Sequence, residues 1–143
     1  MTTVAALLKD KADPLVVSLP EAASVLAAIT IMAEKHVGSV VVTRNGLPIG
    51  ILTERDYARK VILCGRSSAD TAVSEIMSSP LLTVAPGDSM NHCMELMTVN
   101  RIRHLPVIDG NGIAGMVSIG DLLKAQLALR QREIEQLQQY ISG

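Results

Sequence analysis

Residues 18–57 lie over residues 83–122 without a gap, at an offset of 65. In that alignment Gly50-Ile51-Leu52-Thr53-Glu54-Arg55-Asp56 falls on Gly115-Met116-Val117-Ser118-Ile119-Gly120-Asp121. Only five of the forty positions are identical: Ser24/Ser89, Met32/Met97, Val42/Val107, Gly50/Gly115 and Asp56/Asp121. Chemical class carries the match further. A small hydroxyl meets another at Thr53/Ser118, and apolar meets apolar at Leu19/Val84, Val25/Met90, Ile29/Met94, Val37/Ile102, Val40/Leu105, Ile51/Met116 and Leu52/Val117. A unit this short cannot bury its apolar face alone, so two copies packed on each other are the expected solution. Duplication also implies two equivalent sites about a pseudo-twofold axis.

Each copy reads as β-α-β-β-α, an α/β (α+β) pattern. Thr3 to Lys9 forms a short amphipathic helix, broken at Asp13-Pro14 because a residue before proline leaves the α region. Leu15-Val16-Val17 is a short strand. Ser18-Leu19-Pro20-Glu21 reads as a capping box opening a helix with Val25, Ile29, Met32 and His36 on one face. Val37 to Thr43 is a strand, Asn45-Gly46 a hairpin turn and Ile49 to Leu52 the return. A helix from about Thr53 to Leu63 completes the copy. The second copy repeats the order: strand Leu81-Leu82-Thr83, a helix from Pro86 to Asn100 with Met90, Cys93, Met94 and Met97 inward, strand Leu105 to Ile108, turn Asp109 to Gly112, strand Ile113 to Val117, and a helix opened by Ser118. Expected boundaries are 12–64 and 78–128 for the copies, 65–77 for a linker with a short helix, and 129–143 for a helical extension. That extension carries apolar residues at 123, 127, 134, 137 and 141, with Arg130 filling the gap in a heptad-like spacing, which fits a docking or dimerisation helix.

Composition narrows the function classes. At 143 residues and 48% hydrophobic, the chain is expected to make one compact unit, or two half-size units that fold as one, with a good core. Its net charge is −1 with the two signs mixed, which gives no footprint for nucleic acid. There is no Phe or Trp, and Tyr57 and Tyr140 are the only aromatics apart from histidine, so base stacking has little to work with. No apolar run reaches the ~18 residues of a membrane span, and the first ten residues lack the pattern of a secretory leader. Cys64 and Cys93 have neither metal spacing nor a disulfide framework, and are expected as reduced thiols in a cytoplasmic protein. Nucleophile elbows, His-Glu-x-x-His and glycine-rich phosphate loops are absent, and His36, His92 and His104 lack neighbours at ligand spacing. Binding, not catalysis, is the expectation, with no metal.

Three stretches could carry it. Thr53-x-x-Asp56 and Ser118-x-x-Asp121 are capping boxes by spacing, yet both follow a strand end, at the mouth where ligands commonly bind. A carboxylate there repels phosphate but suits a vicinal diol, because an ionised Asp accepts from two hydroxyls at once. The two readings are compatible. Arg101-Ile102-Arg103-His104-Leu105-Pro106 is either a solvated basic corner or a phosphate clamp, since Arg offers planar bidentate donors. The first copy has Val37-Gly38-Ser39 opposite Ile102-Arg103-His104, so such a clamp would be one-sided. Arg55, in Glu54-Arg55-Asp56-Tyr57-Ala58-Arg59-Lys60, is either helical surface charge or a further phosphate ligand.

Together, the doubled β-α-β-β-α unit, the Gly-apolar-apolar-[Thr/Ser]-x-x-Asp ending and Arg103-His104-Leu105-Pro106-Val107-Ile108-Asp109 resemble the CBS domain family. Two such domains form a pair called a Bateman module, and the likeness is greatest to small stand-alone bacterial signal-transduction proteins. It covers roughly residues 12–128. The resemblance implies binding of AMP, ADP, ATP or NAD(H), with S-adenosylmethionine less favoured, in clefts between the domains. It assigns ribose contacts to Thr53 with Asp56 and to Ser118 with Asp121, and phosphate contacts to the neighbourhood of Arg103 and His104. Adenine would lie near Val17 in one site and Thr83 in the other, and Val37 and Pro106 join the expected ligand-binding set. The resemblance further implies a homodimer of pairs, and with no effector domain read in the chain the output is expected to act on a separate effector protein. The alternative is a ligand-independent scaffold acting through its dimer surface and terminal helix.

Overall fold

The computed structural model describes residues 2–11, 16–110 and 112–142. The Asp13-Pro14 break, Leu15 and Asn111 lie outside the described residues. Element order is α1 (Val4–Lys9), β1 (Ser18–Pro20), α2 (Val25–Lys35), β2 (Ser39–Arg44), β3 (Leu47–Thr53), α3 (Glu54–Tyr57), α4 (Val73–Ile76), α5 (Met90–Asn100), β4 (His104–Asp109), β5 (Gly112–Ser118) and α6 (Ile119–Ser142). After α3 the chain winds through a π-helical turn over Ala58–Ile62, closed by the Leu63 N–H donating to the Ala58 carbonyl.

In the first copy β1 runs parallel to β2, and β2 antiparallel to β3. Asn45 and Gly46 both take positive φ, as the tight hairpin between β2 and β3 requires. In the second copy β4 and β5 form the hairpin, and a single parallel bridge, Val84 to Val107, stands where β1 would. Even the irregularity repeats: the register shifts at Val42/Thr43 and at Val107/Ile108, equivalent positions in the two copies.

Several local expectations are corrected. The first strand is Ser18–Pro20 and leaves out Val16 and Val17, and Glu21 donates its N–H to the Thr43 carbonyl instead of closing a capping box. Helix α2 starts later, where the Ser24 hydroxyl accepts from the Ala27 N–H at 3.1 Å. Its counterpart Ser89 accepts from the His92 N–H at 3.0 Å, so α5 opens at Met90 and not at Pro86. Leu81–Thr83 forms no strand. Both central helices end on a non-glycine residue in the left-handed region, His36 (φ 55°) and Arg101 (φ 54°).

Each copy has its own core, completed by a helix from elsewhere in the chain. The first gathers Val25, Met32, Val40, Leu52 and Val61 around Val73 and Ile76 of α4. The second gathers Cys93, Met97, Leu105, Val117 and Leu122 around Val4 and Leu7 of α1. The helix preceding the first copy therefore seals the second copy, and the helix between the copies seals the first. Gly50 and Gly115 mark the contact. A Cβ at Gly50 would lie 2.6 Å from the Met77 sulfur and 3.0 Å from the Ser78 carbonyl, and one at Gly115 would lie 2.7 Å from the Leu8 side chain. The strand runs close to the crossed segment in both copies; at Gly50 the neighbour includes backbone, so glycine is needed there, whereas at Gly115 the neighbour is the end of the Leu8 side chain.

Helix α6 runs on past its copy. Leu123, Leu127, Ile134, Leu137 and Ile141 are all exposed, so the heptad-like row is an uncovered apolar face of this chain. No helix among the described residues is long and apolar enough to cross a membrane.

Candidate functional site

Two clefts open between the copies, and each takes its walls from both. One, of about 880 Å³, brings Ser118 and Asp121 of the second copy against Val16, Val17, Val37, Gly38 and Ser39 of the first. The other, of about 640 Å³, brings Thr53 and Asp56 of the first copy against Leu82, Ile102, Arg103 and His104 of the second. The juxtaposition follows from the repeat: each Thr/Ser-x-x-Asp motif caps a helix beside a strand end, and packing the copies turns that mouth toward its neighbour.

The two carboxylates differ. Asp56 is 7% exposed and heavily bonded. Its Oδ2 accepts from the Thr53 N–H at 3.0 Å and the Thr53 hydroxyl at 3.2 Å. The Ser78 hydroxyl donates to Oδ1 at 3.1 Å, and the Lys60 ammonium sits 3.1 Å from the same oxygen. Asp121 Oδ2 accepts from the Ser118 N–H at 2.8 Å and pairs with Lys11 at 3.1 Å. Its Oδ1 has no hydrogen-bond partner among the described residues, and no side-chain oxygen among them is both buried and unpaired. The Asp121 side chain keeps 21% of its surface exposed and lines the larger cleft.

Cations line both clefts but come from different elements. Lys11, Lys35, Lys124 and Arg132 border the Asp121 cleft, the last two from α6. Arg55, Arg59, Arg101 and Arg103 border the Asp56 cleft, and none of these four forms an ion pair among the described residues. Arg55 donates to the Arg101 carbonyl at 3.2 Å, tying α3 to the end of α5 across the cleft. The left-handed caps sit at matching rims, His36 at the Asp121 cleft and Arg101 at the Asp56 cleft.

His104 belongs to both clefts. It packs on Gly38, where an added Cβ would come within 3.4 Å of its Nε2. Burial pushes its pKa below the ordinary histidine value; Glu54 and Asp121 pull it up, while Lys11 and Arg103 push it down. The neutral imidazole is thus favoured in the partition between the clefts.

Most of the expected set lies in the clefts: Thr53, Arg55, Asp56, Arg103 and His104 in one, and Val17, Val37, Ser118, Asp121 and again His104 in the other. Two residues are placed differently. Thr83 lines a separate shallow surface with Ile49 and Ile108, and Leu82 takes the wall position. Pro106 is buried within β4, where its carbonyl accepts from the Val84 N–H, and it borders neither cleft. Sequence reasoning missed Lys11, Lys60 and Ser78. Lys60 was legible, four residues beyond Asp56 on a helical turn, whereas Lys11 and Ser78 arrive only through the crossed helices.

Comparison with known proteins agrees with this architecture. The profile of the CBS domain family matches residues 12–62 and 73–128. A solved structure of a CBS-domain protein of Burkholderia ambifaria MC40-6, named for signal transduction, is 47% identical, covers 89% of this chain and 95% of that one, and superposes with a TM-score of 0.85. A CBS-domain-containing protein of Agrobacterium tumefaciens is 35% identical with a TM-score of 0.81, covering 87% of this chain and 99% of that one. The mitochondrial CBS domain-containing protein CBSX3 of Arabidopsis thaliana is 45% identical over 125 residues, 84% of this chain and 61% of its own length. This chain thus spans somewhat under two thirds of that relative. With two copies matched, a doubled fold and solved neighbours alike over nearly their whole length, the chain belongs to the CBS domain family, as a tandem pair of the regulatory kind.

Proposed function

We propose that this CBS pair senses adenosine compounds, taking AMP, ADP, ATP or NAD(H) into the inter-copy clefts and converting occupancy into a change in how the two halves sit. The observation that carries the reading is Asp121: a partly exposed carboxylate on the wall of a large cleft, one oxygen held by its helix cap and by Lys11, the other with no partner among the described residues, and lysines around it. An open carboxylate accepts from sugar hydroxyls, and the surrounding ammonium groups suit phosphate. S-adenosylmethionine fits less well, because its sulfonium would enter a cleft already rich in cations. A ligand that bridges both halves favours one arrangement by its differential affinity. The signal then passes to a separate effector protein, and the exposed apolar face of α6 fits contact with a second copy in a homodimer.

A thermal-shift panel tests this directly. A ligand at ~100 times its Kd stabilises by ~2.7 kcal/mol. Asp121→Ala should weaken adenosine binding by ~2–5 kcal/mol while lowering stability by only the ~0.5–2 kcal/mol of a lost cap. If no adenosine compound moved the melting temperature, the scaffold reading would replace this one.

A further inference from the structure

Duplication predicts two equal clefts, yet the side chains around Asp56 and Asp121 have diverged. In the Asp56 cleft the carboxylate is already spent: Thr53 and Ser78 donate to it, Lys60 neutralises it, and it is nearly inaccessible. A sugar diol arriving there would have to displace bonds that the fold already makes. The same cleft carries Arg55, Arg59, Arg101 and Arg103, with Glu54 as the remaining carboxylate on its wall. Four exposed guanidinium groups line this cleft without an ion-pair partner among the described residues, and planar donors of this kind meet phosphate oxygens in bidentate fashion, which suits a compact polyanion. The Asp121 cleft is the opposite case, with a carboxylate side chain 21% exposed against 10% for Asp56, and more room.

We propose that the clefts read different parts of a nucleotide: the Asp121 cleft reads the ribose diol, and the Asp56 cleft is an oligophosphate site blind to the sugar. The first half of this assignment rests on the adenosine reading above; the second does not. Ligands differing only in their 2′ and 3′ hydroxyls are therefore distinguished at one cleft alone, and a free oligophosphate competes with nucleotide at the other.

Site-resolved methyl NMR on the full chain tests it, because Met116 lines the Asp121 cleft while Ile51 and Ile119 line the Asp56 cleft. The probes are ATP, 2′,3′-dideoxy-ATP and inorganic triphosphate. Removing the diol should weaken the titration seen at Met116 by at least about tenfold and leave that at Ile51 and Ile119 within about twofold. Inorganic triphosphate should shift Ile51 and Ile119. Equal loss of dideoxy-ATP binding at both clefts, or no response of Ile119 to triphosphate, would overturn the assignment. If ATP left Met116 unmoved, the adenosine reading would fall, and the triphosphate response at Ile119 would still decide the oligophosphate site. The double variant Ser78→Ala/Lys60→Met frees Asp56 and should raise diol discrimination at Ile119 to about tenfold. An unchanged ratio would overturn the account of why this cleft ignores ribose. Should that variant fail to fold, the wild-type titration decides alone.

Discussion

In the first copy Ser78 bonds to the Ile51 carbonyl through its backbone N–H and to Asp56 through its hydroxyl. In the second, a single ammonium, that of Lys11, reaches both equivalent acceptors: the Met116 carbonyl at 2.7 Å and Asp121 at 3.1 Å. The two segments reach these places by the same crossed route, yet one delivers a neutral main chain and the other a charge on a flexible stem. Duplicated backbone thus fixes where acceptors lie, while the segment laid over them sets how each is held; the cation beside Asp56 comes instead from Lys60, four residues along the chain. A rigid, buried carboxylate results on one side and a half-open one on the other.

The sharpest way to break this comparison is to attack the crossed helices. Leu7→Ala and Ile76→Ala should each cost ~2–5 kcal/mol, since both side chains are buried in a core. Hydrogen exchange should place the damage in the opposite copy: Leu7→Ala loosens β4 and β5, and Ile76→Ala loosens β2 and β3. Faster exchange in β2 and β3 for Leu7→Ala would contradict the crossing. Next in size is the contrast between carboxylates. Asp56→Ala removes several charge-assisted bonds and should cost about 2–3 kcal/mol, against ~0.5–2 kcal/mol for Asp121→Ala; urea denaturation of both variants measures it, and the reverse order would sink the distinction. The smallest effect concerns the partition between the clefts. The folded pKa of His104 lies below the ordinary value of 6.5, chiefly through burial, so the unfolded chain binds the extra proton first. Its contribution is fully present above about pH 6.5 and is lost as pH falls toward the folded value. His104→Gln should flatten melting temperature against pH across that window, and an unaltered profile would remove His104 from the account.

Much of the fold was legible because the repeat carries it. Gly50/Gly115, Thr53/Ser118 and Asp56/Asp121 mark strand ends and helix caps, and their alignment located both mouths without any knowledge of packing. The helix starts were misplaced although their signal was present: Ser24/Ser89 is an identical pair, and it caps both central helices. Ser18-Leu19-Pro20-Glu21 imitates a cap by spacing alone, but tertiary pairing with β2 makes it a strand. The wall position of Leu82 and the burial of Pro106 turn on how two sheets face each other, which no local pattern encodes. Lys11 and Ser78 were hidden for a related reason: the crossed segments follow a different offset from the rest of the repeat, so alignment at 65 never brings them opposite each other.

The left-handed residues at the ends of α2 and α5 have a consequence for engineering. Glycine at either place would relieve about 1 kcal/mol of backbone strain, so His36→Gly and Arg101→Gly are obvious routes to a hardier protein. Both would strip a ring or a guanidinium from the rim of a cleft. Screening for heat tolerance alone would therefore drift toward a sturdier shell with bare entrances, and such a campaign should carry a ligand-retention assay from its first round.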